Sequence, residues 1–74
     1  MENRLNGIIL GSYQYKRIRE LKEKLQETDY KAIKYAEGLI SYSEYLPTLQ
    51  ERKAWREEIN KLEVELKALQ NENI

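Results

Sequence analysis

Apolar side chains in the second half of the chain recur at heptad spacing. Trp55, Ile59, Leu62, Leu66 and Leu69 follow one another at steps of four, three, four and three. On an α-helix this alternation gathers all five on one stripe. Leu49 begins the stripe, and Arg52 breaks it one step before Trp55. Pro47 fits the first turn of such a helix, where its missing N–H has no intrahelical partner. The spacing therefore predicts one long amphipathic helix over about 47–70. Its stripe needs a cover, which can be the rest of the chain, a second copy or a foreign partner.

The first half offers a cover. Ser12 can cap a helix starting at Tyr13, in which Ile18, Leu21 and Leu25 form an apolar stripe that Tyr15 extends backwards. This helix is predicted over about 13–27. Thr28 and Asp29 are cap residues that interrupt the pattern, and Tyr30, Ile33 and Ala36 restart it before Gly38. A short second helix over about 29–37 follows, with Thr28 and Asp29 as a structural turn. A single bent helix from Tyr13 to Glu37 is the alternative, because the heptad count from Leu25 continues onto Thr28, Ala32, Tyr35 and Leu39. Residues 39–46 form the connection. Ile8-Ile9-Leu10, bracketed by Gly7 and Gly11, belongs to a flexible N-terminal arm over 1–11, and 12–74 form one helical domain.

Charge sets the direction of packing. Lys16, Arg17 and Arg19 sit near the start of the first helix, and Glu57, Glu58, Glu63 and Glu65 dominate the second half of the long one. Each placement opposes its own helix dipole. Laid antiparallel, the two become one complementary contact. The expected fold is thus an all-α antiparallel helical hairpin with coiled-coil-like packing. Its interaction seam is Ile18, Leu21, Leu25, Trp55, Ile59, Leu62, Leu66 and Leu69. Arg52 can pair across the hairpin with Asp29 or Glu37 and fix the register, and Arg56 can assist from the flank. The long helix outlasts the first, leaving Leu66 and Leu69 in part uncovered. That predicts a homo-oligomer, a dimer, formed through the long helix. The alternative is that residues 13–37 act as one helix and cover the whole seam.

Composition narrows the chemistry. The 74 residues contain no cysteine and no histidine, which removes disulfides, thiolate metal sites and the commonest general base. Thirteen Lys and Arg balance thirteen Asp and Glu, unlike the strongly basic balance of many nucleic-acid binders. Lys16, Arg17 and Arg19, with six tyrosines in the chain, still allow a small nucleic-acid-associated regulator as the rival reading. Glu20 and Glu23 dilute that basic patch. The glutamate pairs read as a solvated face, with Glu57–Lys61 and Glu63–Lys67 at ion-pair spacing. No residue set suggests catalysis, a cofactor or a metal, and the apolar runs are too short to span a bilayer. A non-enzymatic, soluble protein is expected.

One further pattern carries a biological setting. Leu25-Gln26-Glu27-Thr28-Asp29-Tyr30, then Lys34, Glu37-Gly38 and Pro47, then Arg52-Lys53-Ala54-Trp55-Arg56-Glu57-Glu58-Ile59 form a series. It resembles the C-terminal segment of bacteriophage tail fibre assembly proteins and tail assembly chaperones, and small prophage proteins of the tail region. The resemblance spans roughly 17–62. It implies an assembly or structural role through protein contacts, with a tail protein as partner, in the bacterial cytoplasm or the virion. The chain lacks the large N-terminal domain with which those chaperones engage the fibre, so a small tail-module protein is the reading it supports.

Overall fold

The computed structural model describes the backbone of residues 11–72 and the side chains of residues 11–69. Helix α1 spans Ser12–Ala36 (25 residues) and helix α2 spans Tyr42–Glu72 (31 residues). The turn 37–41 reverses the chain, and the helices lie against each other in a rod of 56 × 17 × 16 Å. The contacts run antiparallel: Gln14 meets Glu65, Arg17 meets Glu58, and Arg52 meets Leu25. The fold is an all-α helical hairpin.

Its first half differs from the expected division into two helices. Helix α1 runs unbroken through Thr28 and Asp29, so neither the end at 27 nor the short helix over 29–37 occurs. The physical reason lies in the Thr28 hydroxyl, which donates back along its own helix to the carbonyls of Lys24 (2.9 Å) and Leu25 (3.1 Å). A threonine satisfied in that way sits in a helix interior rather than at a cap.

Both helix starts also differ. Gly11, not Ser12, is the N-terminal cap of α1, in left-handed backbone at φ 84°. Its Cα lies close against the far end of α2: a Cβ there would stand 2.7 Å from Leu66 Cδ2. Only glycine accommodates both the backbone angle and the approach. Helix α2 begins five residues before Pro47, which stands inside it. Ser41 and Glu44 explain this early start. Glu44 N–H donates to Ser41 Oγ (3.1 Å) and Ser41 N–H donates to Glu44 Oε1 (3.0 Å), a reciprocal capping box. Proline removes the donor for the carbonyl of Ser43, an exposed residue in the first turn, where water can replace it. At the other side of the turn, Gly38 (φ 77°) donates to Tyr35 O and Leu39 N–H donates to Lys34 O. That is a Schellman ending, and it stops α1.

Ile18, Leu21, Ile59, Leu62 and Leu66 form the buried core, with Leu25 and Trp55 packed against it. Lys24 Nζ lies 5.8 Å from the Trp55 ring. The uninterrupted α1, started by Gly11, reaches far enough to cover the seam: Leu66 is only 9% exposed, and Leu69 is half-buried. Of the two residues expected to stand in part uncovered, only Leu69 does so, and the alternative of one helix over 13–37 is the one that occurs, because the expected gap required a first helix ending at 27. The expected N-terminal arm, apart from Gly11, lies outside the described residues.

Candidate protein-interaction site

Arg52 occupies a position on the stripe where an aliphatic residue would otherwise sit, and it is 4% exposed. Its guanidinium is held by α1 alone. Nη1 donates to Leu25 O (2.7 Å) and to Thr28 Oγ1 (2.7 Å), and Nη2 donates to Asp29 Oδ1 (3.0 Å). Of the two acidic partners weighed from sequence, the structure uses Asp29 and leaves Glu37 to the turn. Thr28 is half-buried and the Asp29 carboxylate is 55% exposed, so two neutral oxygens meet the guanidinium inside while the charge partner stands at the edge. Arg56 is exposed and makes no ion pair among the described residues, so it plays no part in this clamp.

The complementary charges of the two helices meet through one residue. Arg17 Nε and Nη2 donate to both oxygens of Glu58, at 2.9 and 3.3 Å, and Nη1 reaches Glu20 at 3.5 Å. Lys16 and Arg19 are exposed beside it. Arg17 is thus engaged by two carboxylates, which reduces the basic patch available to a nucleic acid. The expected Glu57–Lys61 and Glu63–Lys67 pairs do not form among the described residues, although all four side chains are exposed. At fully solvated positions such pairs contribute only a few tenths of a kcal/mol, too little to hold one geometry.

Hydrogen bonds from Arg17 hold the Glu58 carboxyl below the ordinary glutamate range, and bonds from the Ser41 backbone and hydroxyl do the same for Glu44. A carboxyl with a depressed folded-state pKa adds stability that is complete above the unfolded value, about 4.3, and is lost as pH falls through the folded value. The thermal midpoint should accordingly drop more between pH 6 and pH 3 in the wild type than in a Glu58→Gln, Glu44→Gln variant. Equal drops would contradict this assignment.

The other notable cluster surrounds the turn. Tyr30, Ile33, Leu39 and Tyr42 are large side chains left mostly in solvent there. Tyr35 stacks on buried Tyr45 (centroids 5.0 Å, 12°) and meets Tyr42 at 6.1 Å. Tyr30, Lys31, Lys34, Ile40 and Glu44 line a shallow groove of about 270 Å³ where the end of α1, the turn and the start of α2 meet. Singly exposed apolar residues are ordinary; here four of them surround one turn. The sequence contained this signal in its tyrosines and in Leu39, yet the heptad stripe drew attention to the opposite end of the hairpin. The capping box was likewise legible as Ser41-x-x-Glu44 and passed over in favour of Pro47.

Among the described residues no three carboxylates gather as a metal site, and no helix is long and apolar enough to cross a membrane. Against known proteins, no family model, no curated protein and no solved structure matches this chain.

Proposed function

We propose that this chain is a non-enzymatic protein-interaction element of a phage or prophage tail module, acting in the host cytoplasm or in the virion. The observation that carries the interaction role is the turn surface, where Tyr30, Ile33, Leu39 and Tyr42 are exposed while the long seam is already covered from within. The tail setting rests on the resemblance of residues 17–62. The partner, a tail protein, docks on that surface through apolar contacts rimmed by Lys31, Lys34 and Glu37. A dimer through the long helix loses its ground once α1 covers Leu66, so a second copy would have to use the turn surface too.

A photo-crosslinking residue at position 33, in cells producing the neighbouring genes, tests the reading. Crosslinks should fall on a tail protein and vanish in an Ile33→Glu, Leu39→Glu variant that keeps its helicity. Crosslinks only to a second copy would replace the tail partner with self-association. A salt-sensitive shift with DNA or RNA that needs Lys16, Arg17 and Arg19 would replace the whole reading with the regulatory one.

A further inference from the structure

The α2 seam is generic. Leu62, Leu66 and Leu69 at heptad spacing could be buried as well by another α2 as by α1, and the seam alone does not choose. Arg52 is the position at which the choices differ. In the hairpin it finds three acceptors on α1 within 3.0 Å: Leu25 O, Thr28 Oγ1 and Asp29 Oδ1. Two of these exist because α1 runs unbroken through Thr28, whose hydroxyl turns back to its own helix and leaves a lone pair for Arg52.

Neither in-register self-pairing of the long helix nor a one-heptad slip along α1 supplies them. In a parallel pair of α2 helices in register, Arg52 would face Arg52 of the second copy, two like charges on a buried stripe. In an antiparallel pair centred on Ile59, heptad geometry would set Arg52 against Leu66 of the second copy, with Leu69 in the place of Thr28 and no carboxylate in the place of Asp29. A slip of one heptad along α1 would set it near Ile18 or near Ala32, again apolar positions. A buried guanidinium short of acceptors and of a counter-charge is disfavoured, so each alternative is penalised while the native one is not.

We infer that Arg52 is a specificity device: together with Thr28 and Asp29 it restricts the long helix to α1 in this single register and bars its self-pairing. The inference does not depend on the tail-module reading. Polar groups on an otherwise apolar stripe set partner and register in helical assemblies in the same way.

The test replaces the guanidinium with apolar groups that fill its space, Arg52→Leu and Arg52→Met, and follows mass by sedimentation from micromolar to millimolar concentration. The wild type should hold at one chain, 8.9 kDa, throughout. Both variants should stay helical and rise toward twice that mass. Variants that remain at one chain would overturn the inference. So would variants that simply lose helicity, since Arg52 would then support the fold rather than select it. A wild-type mass above one chain that persists after Ile33→Glu and Leu39→Glu would overturn it as well.

Discussion

Leu21→Ala should unfold much of the population at 37 °C. Leu21 is the one fully buried large side chain among the described residues, at 0% exposure in the centre of the α1–α2 contact. Truncating a buried leucine costs about 2–5 kcal/mol, the spread reflecting how far the cavity can collapse. A single core in a chain of this size rarely supplies more than about 3–5 kcal/mol in all. The loss is thus comparable to the whole stability. Between two helices with no disulfide and, among the described residues, no third layer, little can move in to fill the space. Val64, 68% exposed on the outer side of α2, provides the control: Val64→Ala should change stability by under about 0.5 kcal/mol. Denaturant titration followed by helical circular dichroism reads both. A Leu21→Ala chain as stable as the Val64→Ala chain would show that the core lies elsewhere.

The second large effect concerns the Arg52 clamp, and its ordering is the informative part. Arg52→Ala should cost about 2–4 kcal/mol, because it removes three charge-assisted bonds together with the packing of a buried stem. Thr28→Val should cost more than Asp29→Asn, although Asp29 is the charged partner. The Thr28 hydroxyl lies inside, 2.7 Å from Nη1, and its loss leaves a buried N–H with one acceptor fewer, about 1–3 kcal/mol. The Asp29 carboxylate is 55% exposed, and water screens an ion pair at such a position to under about 1 kcal/mol. Should Asp29→Asn prove the costlier change, the charge pair rather than the neutral acceptors would hold the clamp.

These two results separate what the sequence reveals from what it hides. The seam was legible, because heptad spacing is a local property and Ile18, Leu21, Ile59, Leu62 and Leu66 need only be counted to be found. Helix direction was legible too, from basic residues early in the first helix and acidic residues in the second half of the long one, which meet as Arg17 and Glu58 when the helices run antiparallel. The continuity of α1 was legible only as an alternative. Thr28-Asp29 is as good a cap as it is a helix interior, and the deciding partner, Arg52, stands 24 positions away in sequence. The error then propagated. A first helix ended at 27 left the long helix too long, and Leu66 looked exposed. Gly11 could not correct this, since its contact with Leu66 exists only once the hairpin has closed. The turn surface was missed for a different reason. Tyr30 and Ile33 read as the apolar face of a short second helix, and their exposure follows only from knowing which face of α1 is spent on α2.

The seam of the long helix is closed by the first helix of the same chain. Spin labels at the exposed positions 16 and 61, on one chain, measure it directly. In the closed hairpin the two labels lie level across the helix pair. The account predicts a single short distance that persists when labelled chains are diluted with unlabelled ones. If the turn instead straightened and two chains exchanged their helices, the labels of one chain would stand about 68 Å apart at 1.5 Å per residue. A short distance that faded on dilution would contradict the account.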